Sequence, residues 1–207
     1  MVDNVAVKKR LKQLNFFKKK SKFMRLAADG WESDWKTLIA IMMSAQSRDE
    51  LTIVIAQNLF DKYPTLKELS VAKKSDVLRV FKSLNYNKTK AKHVVACAKL
   101  LVSDYGGVVP CDFEILTSLP GVGRKTANVF LAQFGEQTIG VDTHVAYIST
   151  KMNWTKNTSQ ERIENDLKKL FPTKYWGQLN NILVNFGKSY TSVKEKNKLI
   201  LEAKQIK

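Results

Sequence analysis

Apolar residues recur at every third or fourth position along most of this chain, the spacing that gathers them on one face of an α-helix, so the pattern predicts helices rather than strands. The clearest stripe lies between Lys88 and Asp104, where Ala91, Val94, Val95, Ala98, Leu101 and Val102 share a face and Lys90, Lys92 and Lys99 lie off it. Similar spacing predicts helices over 4–24, 34–45, 49–62, 74–82, 124–134, 143–152, 159–171, 175–186 and 193–204. Asp34, Asp112 and Ser159 stand where capping oxygens are needed, and Gly135 and Gly187 stand where helices should stop. Only 108–110 and 138–141 read as extended. No repeat of fixed period and no low-complexity linker interrupts the series, and the expected fold class is all-α.

Charge adds a partner to this picture. The 35 Lys and Arg against 19 Asp and Glu leave a formal net charge of +16 over 207 residues. An excess of that size points to a polyanion, because cations that neutralise phosphates release counterions and steer association. Nucleic acid is the first expectation. An anionic membrane surface ranks last, since no basic amphipathic helix carries a bulky apolar face. The longest apolar run, Leu38 to Met43, is far too short to span a bilayer. Asp3, Lys8, Lys9 and Arg10 put charge where a secretory leader needs an apolar region, so the expected location is intracellular. The basic runs at 8–22 and 188–207 read equally as solvated helix faces or as DNA contacts. Cys97 and Cys111 read as reduced packing residues. With two cysteines and two histidines, His93 and His144, neither a four-cysteine iron–sulfur cluster nor an all-cysteine zinc site can be assembled.

The chemistry concentrates in L-T-S-L-P-G-V-G-R-K, residues 116–125, which reads as a helix end, a tight turn and a new helix. Gly121 and Gly123 permit positive φ and close approach, and the amides there and in the next helix's first turn would point outward with the helix dipole behind them. Val122 would plug the hairpin from inside, while Arg124 and Thr126 flank the exposed amides. Such a helix-hairpin-helix grips DNA backbone without reading sequence. The plainer alternative is an ordinary turn between two helices.

The run L-P-G-V-G-R-K-T-A-N-V at 119–129, with V-D-T-H-V at 141–145, resembles endonuclease III within the helix-hairpin-helix and Gly/Pro-Asp superfamily of DNA glycosylases. The resemblance extends to L-I-A-I-M-M-S-A-Q-S-R-D at 38–49 and N-Y-N-K-T-K-A at 85–91, covering about 30–190. It implies a fold of two lobes with a DNA groove between them: a six-helix lobe over about 27–137 that carries the hairpin, and a second lobe from 1–26 and 138–207. It also implies two catalytic residues facing each other at the mouth between the lobes. Lys125 is the expected nucleophile at C1′, and its attack requires a partly neutral amine, which a helix N-terminus, Arg124 and partial burial all favour. Asp142 is expected to stabilise positive charge on the sugar and to shuttle protons. Read alone, Asp142 is simply a helix cap and Lys125 a phosphate-contacting or solvated lysine.

By the same resemblance Gln46 fills the gap left by a flipped base and Tyr86 intercalates as a wedge, though Tyr86 also reads as a surface tyrosine. Asp49 is expected to line the pocket or cap its helix, and His144 to pack at a helix start rather than bind metal. The implied activity is removal of damaged bases, oxidised pyrimidines above all, from bent double-stranded DNA, followed by strand cleavage 3′ to the abasic site, by a monomer. Uracil or mismatched-thymine excision is one alternative, and a non-catalytic damage sensor is another.

Two departures stand out. Relatives carry four cluster-binding cysteines near the C-terminus, where this chain reads N-F-G-K-S-Y-T-S-V-K-E-K-N-K, with Thr191 about where the first cysteine would lie. No iron–sulfur cluster is therefore expected, and Lys188, Lys194, Lys196 and Lys198 are candidates to replace the charge that the cluster loop offers DNA. Thr117 stands where relatives often have Glu, which leaves the pocket's details open.

Overall fold

The computed structural model describes residues 4–22 and 24–207, so Asp3 lies outside the described residues. Among the described residues twelve α-helices follow one another: α1 (Asn4–Lys20), α2 (Asp34–Ser44), α3 (Asp49–Lys62), α4 (Leu66–Ser70), α5 (Lys74–Val80), α6 (Asn87–Tyr105), α7 (Phe113–Ser118), α8 (Arg124–Gln133), α9 (Thr143–Lys151), α10 (Gln160–Leu170), α11 (Trp176–Ser189) and α12 (Val193–Gln205). A 3₁₀ turn at Thr173–Tyr175 precedes α11. There is no strand among the described residues, and the segments read as extended are irregular connections. The all-α expectation holds.

The chain divides into two compact units, one of Arg25–Phe134 and one of Met1–Met24 with Gly135–Lys207. The first holds α2–α8, seven helices where six were expected. The addition is α4, a single turn held by a capping box in which Thr65 accepts the Glu68 N–H and Glu68 in turn accepts from Thr65. Helix α2 is buried almost throughout, which explains its unbroken apolar run, and Leu38, Ile39 and Met43 meet Leu59, Phe81, Leu101 and Phe130 in the core. Asp34 is the first residue of α2, not its cap; its carboxylate accepts the Trp35 N–H at 2.7 Å and the Val109 N–H at 3.2 Å, tying the 108–110 segment to the helix. Asp112 caps α7 as expected, accepting from Ile115. Cys97 is buried, which pushes its thiol up to about 12, but Cys111 is exposed and not a core residue; both are free.

The second unit packs around aromatic rings. Phe17 lies 4.6 Å from Phe186 and edge-on to Trp154 at 6.0 Å, and Trp154 meets Phe171 at 5.0 Å, centroid to centroid. Ser159 caps α10. Gly187 does not end a helix, for it lies buried inside α11, and a Cβ there would fall within the His144 ring of α9. Close helix approach, not chain reversal, fixes that glycine, and His144 packs at a helix start as expected. Helix α12 begins at a Ser192 cap, buries Ile200 and Ala203, and is tied to α9 by the Tyr147 hydroxyl, which donates to Asn197 Oδ1 at 2.6 Å.

Candidate nucleic-acid interface

The hairpin of α7 and α8 is closed by the Val122 N–H, which donates to Leu119 O at 3.1 Å. Gly121 has φ +81° and is pressed on α6: a Cβ there would lie 2.7 Å from the His93 Cβ. Its glycine is required twice over, by left-handed backbone and by contact. Val122 is buried and plugs the hairpin as expected, while Gly123 is exposed and a Cβ on it would meet nothing within 4 Å. Here the backbone faces open space.

Gly123 occupies the N-cap of α8 without a side-chain cap, and the first helical bond runs from the Ala127 N–H to Gly123 O at 2.9 Å. The amides of residues 124–126 precede that ladder at the positive end of the helix. Arg124 and Lys125 are half-buried, and the Arg124 guanidinium stacks on the Phe113 ring at 5.0 Å. Thr126 is buried, so what it can offer a phosphate is its backbone N–H, not its hydroxyl. Thr117 turns its hydroxyl back onto α7, donating to Phe113 O.

A second pair of loops meets at the start of α6. Gln46, after α2, is exposed with φ +53°, and Tyr86, before α6, is 65% exposed with φ +56°. The Asn85 side-chain amide bridges the two loops, donating to Gln46 O at 2.7 Å across 39 residues of sequence. Lys90, assigned by its spacing to the solvent side of α6, is buried instead, and its Nζ donates to Met43 O at 2.7 Å and to Ser47 Oγ at 2.9 Å. Burial pushes this ammonium down to about 8. Sequence reasoning missed both anchoring residues. A signal was present for one: Lys90 lies one turn before Val94 and two before Cys97, on the face both bury. Asp49 is buried as the first residue of α3, with Arg48 in the cap position.

In the other unit, Asp142 caps α9, its carboxylate accepting the Val145 N–H at 2.8 Å. The side chain is half-buried, held by that bond in a defined orientation.

Comparison with known proteins now decides the family. The profile of HhH-GPD superfamily base excision DNA repair proteins matches residues 39–173. This chain belongs to that superfamily. Endonuclease III of Thermotoga maritima is 41% identical over 74% of this chain and 73% of its own length. Two solved structures, a non-covalent endonuclease III–DNA complex and a trapped endonuclease III–DNA covalent intermediate with an estranged adenine, each superpose with a TM-score of 0.82 at 27% identity, over 94% of this chain and 90% of theirs. Within the superfamily the chain is of the endonuclease III kind, a base excision repair DNA glycosylase with AP lyase activity. Among the described residues no helix is long and apolar enough to cross a membrane.

Proposed function

We propose that this chain, acting as a monomer on double-stranded DNA, excises damaged bases, oxidised pyrimidines above all, through a Schiff base at Lys125 and then cuts the strand 3′ to the abasic site. The observation that carries the reading is the placement of a lysine in the first turn of α8, two residues after a glycine whose backbone faces open space. Amides of Gly121 and Gly123 and of residues 124–126 grip the phosphates, so the duplex is held by its backbone at the amine. The Lys125 Nζ attacks C1′; the C1′–N bond breaks, and the base leaves with its electron pair and takes up a proton. The attacking nitrogen gives up a proton, the C1′–O4′ bond opens and O4′ takes up a proton, and the resulting imine acidifies C2′–H. Loss of that proton and departure of the 3′ phosphate oxygen complete β-elimination, and water then frees the lysine. Asp142 supplies the carboxylate that offsets the sugar's positive charge and carries protons, its orientation fixed by the Val145 N–H. Gln46 and Tyr86 fill the space of the extruded nucleotide.

The residues present do not suit an iron–sulfur cluster. Cys97 is buried in the core of the first unit, Cys111 lies on another segment of it, and residues 185–198 contain no thiol. The chain is read as cluster-free, with α12 standing in as a basic element. Lys194 and Lys198 are exposed there, whereas Lys196 is half-buried and its ammonium lowered by burial, so it contributes least. Reversing the charge of Lys194 and Lys198 should reduce the salt slope of DNA binding by about 0.9 for each phosphate no longer neutralised.

Borohydride trapping tests the central claim. Incubation with duplex DNA bearing one abasic site, followed by reduction, should yield a covalent adduct that maps to Lys125 and is absent from Lys125→Ala. Tight binding without an adduct would remove the lyase chemistry. A panel of oxidised-pyrimidine, uracil and mismatched-thymine duplexes then ranks the lesions.

A further inference from the structure

We propose that Lys90 is a positioning residue, which together with Asn85 clamps the loop after α2 to the start of α6 so that Gln46 and Tyr86 enter the duplex as one rigid unit. The inference rests on reading those two residues as gap-filling.

Three acceptors on residues 43–47 receive donors from residues 85–90: Met43 O and Ser47 Oγ from the Lys90 ammonium, and Gln46 O from the Asn85 amide. Met43 O is among the last four carbonyls of α2, which have no partner within their own helix, and the ammonium therefore sits at the negative end of that helix dipole. Placing a cation there is costly. Lys90 is 8% exposed as a residue and its ammonium gives up part of its water, where an apolar residue would continue the buried face of α6 without that loss. What the cation achieves that an apolar residue would not is to fix two loops to each other. The fixing is needed because Gln46 and Tyr86 both hold left-handed backbone that L side chains disfavour, and such a conformation persists only where its surroundings enforce it. Tyr86 also anchors α6 directly, its carbonyl accepting the Lys90 N–H at 2.9 Å, so a single residue touches both loops. Rigid presentation matters for a wedge, because an intercalating side chain that first has to be ordered spends binding energy on ordering.

The test combines Lys90→Met with Gln46→Ala in a double-mutant cycle, on duplexes carrying an abasic-site analogue opposite 2-aminopurine and on lesion duplexes in single turnover. Lys90→Met is expected to reduce the 2-aminopurine unstacking signal and the excision rate together by about tenfold, with undamaged-duplex affinity within about twofold of wild type. Adding Gln46→Ala to Lys90→Met should then cost far less than Gln46→Ala alone, since the loop it sits on is already misplaced. Additive losses, or a Lys90→Met enzyme with wild-type rate and signal, would overturn the proposal. If Gln46→Ala and Tyr86→Ala themselves leave both readouts unchanged, the gap-filling reading has failed and takes the clamp with it; if they lower both readouts while Lys90→Met does not, the clamp alone has failed. Should Lys90→Met not fold, Asn85→Ala and Ser47→Ala each remove one loop bond from an exposed or half-buried position, and losses of about threefold that are again non-additive with Gln46→Ala are expected.

Discussion

Helix α6 supports two turns that run through left-handed backbone, and they solve the same problem differently. Against His93, in its second turn, lies the hairpin, where the positive φ falls on Gly121. At its start lie Gln46 and Tyr86, where the positive φ falls on residues with side chains. A glycine turn has no Cβ to strain and holds its shape unaided, so it can serve a task done by amides alone. The other turn, which in the proposed function presents side chains, is held from behind by Asn85 and Lys90. Where the backbone is the working part, glycine suffices; where the side chain is the working part, other residues must hold the backbone.

The largest effect expected from this contrast is at Gly121. Gly121→Ala adds left-handed strain and a Cβ 2.7 Å from His93, and should lower stability by about 3 to 4 kcal/mol in denaturant unfolding. Gly123→Ala is the control within the same turn. Its φ of −97° suits any residue and its Cβ meets nothing, so stability should fall by no more than about 1 kcal/mol, the loss of a favoured N-cap residue, while DNA affinity falls, because the methyl stands where a phosphate would approach. Equal destabilisation by the two would show that the hairpin's glycines do not divide the work this way.

A second effect concerns Lys90. Its folded value of about 8 lies below the 10.5 of an unfolded chain, so between those values the unfolded chain holds a proton that the folded one has released, and stability rises with pH. The gain should reach about 2 to 3 kcal/mol at most, and it should be missing from Lys90→Met. Cys97 acts in the opposite sense above about 9, since its buried thiol stays protonated while an unfolded one ionises. The difference between wild type and Lys90→Met, followed by unfolding from pH 7 to 10, cancels that contribution. A flat difference would mean that the ammonium is solvated.

Asp142 separates capping from chemistry. Asp142→Ala removes the oxygen that accepts the Val145 N–H and should cost about 1 kcal/mol, whereas Asp142→Asn keeps a capping oxygen and should fold almost as well. Both should lose base excision. An active Asp142→Asn would reduce this residue to a cap.

These differences also explain which parts of the molecule were legible in the sequence. The helices other than the single-turn α4, the hairpin and the Asp142 cap are written in local spacing, and L-P-G-V-G-R-K needs only its neighbours to be read. Gly187 was misread because a glycine that admits His144 looks, in one dimension, like a glycine that ends a helix. Cys111 was misplaced because burial is a property of the assembled core. The clamp was harder to read for a stronger reason: Lys90 falls on the buried face of α6, but the bonds join residues 39, 43 and 47 positions apart, and nothing local names the partners.

The smallest effect expected has an unusual sign. Gln46→Gly and Tyr86→Gly each remove a side chain from left-handed backbone, so each should raise stability by about 0.5 to 1 kcal/mol, less the entropy that glycine adds to the unfolded chain. Both residues are exposed, so little packing is given up in exchange. Excision should nevertheless fall, because the substituted loops keep their shape but have nothing to insert. Most substitutions that impair a site are neutral or destabilising, and a variant that is firmer and slower at once is what strain kept for function produces. If Gln46→Gly and Tyr86→Gly instead lower the melting temperature, the left-handed backbone at these positions is relaxed, and the two turns on α6 differ in residue type but not in stored strain.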